Sequence, residues 1–165
     1  MTLRSRKSSI RVSAATNEEL PRVLRWFRAM LDEIPYYNAI AKRDERAKHT
    51  ISYLRDKLRA DRYAVLVARD GSRILGFTIS RFDDHLIWLE WLVVNSDSRR
   101  RGVASALIQK LIETAPKRNA HKIWCDTRTT NEPAKSTFRK NGFREIAEVK
   151  NHWYHEDYIL WERPV

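Results

Sequence analysis

Trp91-Leu92-Val93-Val94-Asn95-Ser96-Asp97-Ser98-Arg99-Arg100-Arg101-Gly102-Val103-Ala104-Ser105-Ala106-Leu107-Ile108 opens as an apolar run of strand type and then turns through a polar segment with three successive arginines. Beyond it, Val103, Leu107, Ile108, Leu111 and Ile112 recur at helical spacing. A strand that feeds a helix through such a loop leaves the backbone N–H groups of the first helical turn beside positive side chains, which is the start of an anion site. Glycine at 102 keeps a Cβ from standing between the backbone and an approaching phosphate, and the small Ala104 extends that clearance.

A second patterned stretch lies downstream. Asn131-Glu132-Pro133-Ala134 precedes Phe138 and then Lys140-Asn141-Gly142-Phe143, so an asparagine opens a short helical segment that leaves through Gly-Phe. Arg99-x-x-Gly102-x-Ala104, after an apolar strand and before an amphipathic helix, resembles the acetyl-CoA-binding signature of the GCN5-related N-acetyltransferase family; the downstream block resembles that family's other conserved block. With the flanking elements, the resemblance covers almost the whole chain.

The resemblance implies an α/β (α+β) fold of the acyl-CoA N-acyltransferase type, a twisted and mainly antiparallel sheet flanked by helices. It implies acetyl-CoA as cosubstrate, held at the loop by Arg99, Arg100, Arg101, Gly102, Val103, Ala104 and Ser105. The backbone of Leu92, Val93 and Val94 would bind the acetyl carbonyl and pantetheine arm on a strand that splays from its neighbour, and Asn131 would bond the same arm. Many family members carry a tyrosine four residues after the motif alanine. This sequence has Phe138 there, on the implied cofactor side, so the usual general acid is missing.

At 165 residues the chain suits one core, and we expect a basic tail over 1–8 followed by a single N-acetyltransferase domain over 9–165. Hydrophobic residues at 42% and charged residues at 32% describe a globular chain with a heavily charged surface. Cys125 is the one cysteine, which excludes an intramolecular disulfide and suits a reducing, cytoplasmic setting. It lies in an apolar strand pattern and reads as packed and inert. The longest apolar run, residues 86–94, is interrupted by Glu90 and too short to span a bilayer, so no membrane partner is expected. The net charge of +11 favours polyanionic partners but equally describes a solvated surface; a nucleic-acid partner is the lesser expectation. The four glycines, Gly71, Gly76, Gly102 and Gly142, are too scattered for a phosphate-binding P-loop or a dinucleotide fingerprint.

Residues 9–15 alternate as a first strand, and Thr16-Asn17-Glu18-Glu19 has the form of a capping box for a helix through Leu20, Val23, Leu24, Phe27 and Leu31. Ile34-Pro35-Tyr36-Tyr37-Asn38 breaks that helix; its tyrosines either pack the loop or border the acceptor. Residues 42–62 read as one further helical segment. Strands follow over 63–68 and 73–79, joined by the hairpin signal Asp70-Gly71, and over 85–94, antiparallel to its predecessor. After the central helix come a strand over 122–126, a helix over 133–140 capped by Asn131, and closing strands over 145–149 and 158–162.

Acetyl transfer to an amine requires a neutral nucleophile. A lysine of pKa about 10.4 costs roughly 4 kcal/mol to neutralise near pH 7.4, whereas an α-amine near 7.7 to 8.0 costs under about 1 kcal/mol. Glu90, a carboxylate in an apolar strand heading for the loop, is the leading base if burial raises its pKa; on the outer face of the strand it would be a solvated side chain. Asp126 is the reserve. Tyr154 or Tyr158 is expected to supply a hydroxyl from the last hairpin, near a segment Asn151–Asp157 that faintly resembles the peptide-lining hairpin of ribosomal-protein and N-terminal protein acetyltransferases. His152 and His155 point to opposite faces of an extended chain, so no metal site is expected. The expected reaction is direct transfer to a primary amine of a protein, peptide or small molecule by a monomer or homodimer. The alternative is a weak CoA-binding or nucleic-acid-binding module on the same fold.

Overall fold

The computed structural model describes residues 10–165, so the expected tail over 1–8 and the first residue of the expected first strand, Ser9, lie outside it. β1 (Arg11–Ala14) leads to α1 (Leu20–Glu33), which buries Leu20, Val23, Leu24, Phe27 and Leu31. These are the five residues whose spacing marked the helix. Its entry differs from the expected capping box: Glu19 stands at the N-cap and Thr16 caps nothing. Half of the box does form, since the Thr16 N–H donates to Glu19 Oε2 at 2.9 Å, but Arg69 also claims that carboxylate at 2.5 Å and draws it toward the sheet.

The single helix expected over 42–62 is two, α2 (Ala39–Lys48) and α3 (Ile51–Ala60). Between them His49 is extended, and the Thr50 hydroxyl accepts the Tyr53 N–H at 3.1 Å, restarting the helix with its own cap. The break matters because it drives His49 inward; its side chain is fully buried.

β2 (Val65–Asp70), β3 (Arg73–Asp83) and β4 (Leu86–Val94) form an antiparallel meander, with β3 longer than expected. Asp84 and His85 both take positive φ in the tight turn between β3 and β4. α4 (Val103–Thr114), β5 (Lys122–Arg128), α5 (Glu132–Lys140), β6 (Arg144–Val149) and β7 (Tyr158–Pro164) complete a seven-stranded sheet of order β1-β2-β3-β4-β5-β7-β6. Every pairing is antiparallel except β4 with β5. One core packs α4 and α5 on one sheet face through Leu107, Ile108, Ile123, Phe138 and Trp161. The other packs α1 and α3 on the opposite face through Phe27, Leu54, Phe77 and Val93.

Two irregularities shape the middle of the sheet. The β4–β5 ladder joins only Leu86, Ile87 and Trp88 to Lys122, Ile123 and Trp124, after which both strands continue without pairing and a wedge opens between them. On the other side of β4, Ile79 pairs with Trp91 while Ser80 pairs with Leu89, so Glu90 is the extra residue of a β-bulge. The bulge turns Glu90 and Trp91 toward the same face, that of α1 and α3.

Candidate active site at the wedge between β4 and β5

β4 ends at the central loop. Asn95 anchors that loop, its N–H donating to Leu75 O at 2.9 Å and its side-chain amide to Ile74 O at 2.7 Å. A short 3-10 turn over Ser96–Ser98 follows, and Arg99, Arg100 and Arg101 stand exposed, Arg101 lying 3.6 Å from Asp70. Gly102 adopts φ +82 and starts α4, whose N-terminus has no side-chain cap. A Cβ on Gly102 would meet nothing within 4 Å, so within the chain the glycine is required by its left-handed backbone and not by crowding. Val103 is buried, while Ala104 and Ser105 are partly exposed, and the Asn141 amide ties Ser105 Oγ to α5 at 3.1 Å.

The uncapped first turn, the three arginines and the unpaired edge of Leu92, Val93 and Val94 thus meet at one end of the wedge. The donor set is right for a phosphorylated ligand: N–H groups at a helix N-terminus beside guanidinium groups. Gly76 lets β4 run past this point, since a Cβ there would come within 2.5 Å of Val93 O.

Asn131 sits across the wedge at the start of α5. Its Oδ1 accepts the Ala134 N–H at 3.2 Å, as a cap, and its amide donates to the Tyr36 hydroxyl at 2.8 Å. That contact brings the α1–α2 loop into the site and makes Tyr36 a member of it. The sequence left Tyr36 undecided between packing and substrate contact. Phe138 is not at the wedge surface; it is 4% exposed in the α5 core, with its ring 5.0 Å from Phe143 and 5.9 Å from Trp161.

The two carboxylates differ sharply. Glu90 is nearly buried and bridges Lys57 at 2.8 Å and Arg81 at 3.1 Å, with the Tyr53 hydroxyl 3.4 Å away. Burial alone would raise its pKa, but the two cations outweigh it and hold the carboxyl below its ordinary value. The expected elevation is therefore reversed, because Glu90 shares the face of Trp88 and Arg81 and meets Lys57 there. Burial also draws Lys57 below its ordinary value, so the ion pair is held by its geometry more than by surplus attraction.

Asp126, partly exposed on the wedge side of β5, has the opposite shift. Burial lifts its pKa, against the opposing effect of a hydrogen bond from Trp153 Nε1 at 2.8 Å, and the nearby Glu45 charge adds to the rise.

The connection from β6 to β7 is not the extended chain assumed for His152 and His155. Asn151, Tyr154 and His155 all have positive φ, and Trp153–His155 form a 3-10 turn that folds back over α2. There the Tyr154 hydroxyl donates to Glu45 Oε1 at 2.7 Å, and Asn38 donates to the Tyr154 carbonyl at 3.1 Å. Burial and that carboxylate both raise the phenol pKa of Tyr154. Nearby, Arg128 is 3% exposed, with its guanidinium 5.0 Å from the ring centroids of both Tyr37 and Tyr158 and 2.8 Å from Glu156. Cys125 faces the α4–α5 core and burial pushes its thiol pKa well up, as fits a packed and unreactive residue.

No helix among the described residues is long and apolar enough to cross a membrane. The family model for the Acetyltransferase (GNAT) family matches residues 23–143. Over 110 residues the chain is 27% identical to the [Ribosomal protein bS18]-alanine N-acetyltransferase of Salmonella typhimurium, covering 64% of this chain and 74% of that protein. Its fold is similar to the ribosomal-protein-alanine N-acetyltransferase of Brucella melitensis, with TM-score 0.76 at 20% identity over 94% of this chain and 99% of that one. A PaiA N-acetyltransferase from Thermoplasma acidophilum, solved in complex with coenzyme A, superimposes with TM-score 0.78 at 16% identity, over 95% of this chain and 99% of that one.

Proposed function

The chain belongs to the Acetyltransferase (GNAT) family, whose cosubstrate is acetyl-CoA, and we propose that it acetylates an α-amine directly, with Asp126 as the base. The observation that carries the proposal is the contrast between the carboxylates: Asp126 is partly open with a raised pKa, whereas Glu90, the base favoured by the sequence, is locked between Lys57 and Arg81. A base works best with a pKa near the operating pH, and a carboxylate that is raised moves toward it. Glu90 is assigned here the role of holding α3 to the bulge of β4.

When bound, acetyl-CoA supplies an acetyl thioester. The first-turn N–H groups of α4 and Arg99, Arg100 and Arg101 would hold its phosphates, the free edge of Leu92, Val93 and Val94 would take the arm and acetyl oxygen, and the second N–H of the Asn131 amide would bond the arm. Asp126 accepts the proton that the acceptor nitrogen loses as the new N–C bond forms and the C–S bond breaks. Tyr36 is better placed than Tyr154 to protonate the departing sulfur. Its hydroxyl accepts from Asn131 and keeps its own proton, while the Tyr154 proton is committed to Glu45. A thiol near pKa 8.5 needs little such help, which makes Phe138 in the tyrosine position tolerable.

An α-amine is favoured over lysine because a raised carboxylate meets its small deprotonation cost, under about 1 kcal/mol near pH 7.4. The relatives that act on a ribosomal-protein alanine support the same class. The proposal takes residues 9–165 as one domain and needs no covalent enzyme intermediate, in keeping with the buried Cys125 thiol. The test is thiol release from acetyl-CoA with alanine-initiated peptides and with peptides whose only amine is lysine. Transfer to the first set, abolished in Asp126→Asn, is expected. Acetyl-CoA binding with no transfer to either set would leave a CoA-binding module.

A further inference from the structure

Beyond the wedge, paired residues form one continuous row across five strands. Arg81 on β3 pairs with Trp88 on β4, Trp88 with Trp124 on β5, Trp124 with Glu162 on β7, and Glu162 with Arg144 on β6. Residues paired across a ladder share a face, and the contacts follow. The Arg81 guanidinium lies 5.4 Å from the Trp88 ring, the two indoles are 6.2 Å apart, and Lys122 lies 5.3 Å from the Trp124 ring. This face is opposite α4 and α5, and neither tryptophan belongs to a buried core cluster; both stay half-buried.

The row begins where the reaction site ends. Asp126 is two residues from Trp124 on the same face of β5, a step of about 7 Å, and Trp153, 51% exposed, stands over Asp126 as a wall. Charge is divided along this path. Around the site gather the carboxylates Asp126, Glu45 and Glu156 against the buried guanidinium of Arg128, which pairs with Glu156, a surplus of two negative charges. Around the row Lys57, Arg81, Lys122 and Arg144 face Glu90, Glu162 and Asp83, a surplus of one positive charge.

We propose that this row is the seat of an extended polypeptide acceptor, whose N-terminal ammonium enters among the carboxylates and whose third and fifth residues, apolar then acidic, lie over Trp124 and Trp88. An extended chain advances about 3.3 Å per residue and returns to one face every second residue, so the third residue reaches Trp124 and the fifth reaches Trp88, whose ring is 6.2 Å farther on. A small amine reaches only the first part of the path. This deepens the α-amine reading and rests on it.

The test compares peptides beginning with alanine, of one to six residues, the longer ones with glutamate or lysine at the fifth position, on the wild-type protein. Transfer is read as kcat/KM, and affinity by quenching of tryptophan fluorescence with desulfo-CoA present. The proposal expects kcat/KM to rise about tenfold between one and five residues, with the glutamate peptides ahead, and Trp124→Ala to erase that rise, the equivalent of about one aromatic contact. Trp124→Phe, which keeps a ring, should retain most of it, and an unchanged thermal shift by acetyl-CoA shows that either variant is folded. Equal transfer at all lengths, unchanged in Trp124→Ala, overturns the row and leaves the transferase reading intact. Length-dependent binding without transfer keeps the row and rejects the catalytic assignment. Neither binding nor transfer with any peptide rejects both.

Discussion

The indole N–H of Trp153 donates to Asp126 at 2.8 Å, joining the β6–β7 connection to the wedge side of β5. The bond stabilises the ionised carboxylate, opposing the rise that burial imposes. In this single contact the last hairpin adjusts a group delivered by another strand.

The first prediction follows from its sign. Asp126 acts as a base only when ionised, and its pKa is raised, so activity should be lost on acidification at a higher pH than for an ordinary carboxylate near 3.9. Trp153→Phe removes a stabiliser of the charged form and should move that acidic limb to still higher pH. Acceptor protonation contributes equally to both proteins, so the displacement between wild type and variant on one peptide isolates the enzyme group. Asp126→Asn should lower kcat/KM by about 10²- to 10⁴-fold with acetyl-CoA binding kept. A limb that stays in place in Trp153→Phe removes Asp126 as the base.

A second prediction separates the two carboxylates. Glu90→Gln leaves the nearly buried Lys57 ammonium with the Ser80 carbonyl at 3.1 Å as its acceptor and no neutralising charge. Breaking a buried pair from one side costs about 3–5 kcal/mol. Denaturant unfolding should therefore show a large loss of stability, while kcat per folded molecule falls far less than in Asp126→Asn. Pairing Glu90→Gln with Lys57→Met should restore much of the loss. A Glu90→Gln protein of normal stability and negligible turnover would return Glu90 to the role of base.

The central loop yields a third. Gly102 at φ +82 gains a side chain only at a cost of roughly 1–2 kcal/mol for the left-handed conformation, though its Cβ would clash with nothing in the chain. Gly102→Ala should thus be mildly destabilised, and Gly102→Glu should in addition put a carboxylate at the proposed phosphate site. At a hundred times its dissociation constant acetyl-CoA adds about 2.7 kcal/mol to the folded state, visible as a raised unfolding midpoint. That rise should shrink in Gly102→Ala and vanish in Gly102→Glu; an equal rise in all three would move the phosphate site off this loop.

What the sequence disclosed depended on how local the signal was. The loop that enters α4 through Gly102, the Asn131 cap and the buried stripe of α1 are written in consecutive or i, i+3 and i+4 positions, so they read directly. The base did not. Glu90 alternates with Trp88 onto the face of Arg81. The sequence does not show that it meets Lys57 and Arg81 there, partners more than thirty residues before it or on the next strand, nor that the extra residue opposite Ile79 and Ser80 brings Trp91 to that same face. Tyr36 gains its place from a hydrogen bond to Asn131, 95 residues away, and the tryptophan row needs a five-strand register. The break between α2 and α3 was the exception: Thr50 three residues ahead of a donor is a local capping signal, outweighed in the reading by the continuous charged pattern around it.

That break sets the last prediction. His49 follows α2 with its side chain fully buried, 4.3 Å between its ring and that of Phe27, while Nδ1 bonds the Glu45 carbonyl at 2.9 Å. Burial depresses its pKa, against the pull of Glu45, so the folded protein resists protonating this ring while the unfolded chain accepts a proton near pH 6.5. Stability from the neutral ring is therefore fully present above about pH 6.5 and is lost as the pH falls through the folded value, with a slope of at most about 1.4 kcal/mol per pH unit. Glu90, whose pKa is also lowered, acts only at lower pH, below about 4.3, so the two contributions fall in separate windows. Unfolding measured between pH 5 and 7.5 should show this slope in the wild type and a flatter dependence in His49→Phe, which keeps the ring contacts without the titration. An identical slope in both proteins would assign the acid sensitivity elsewhere. A flattened one would tie the α2–α3 hinge, which also carries the Glu45 partner of Tyr154, to the pH range over which the acceptor side holds its shape.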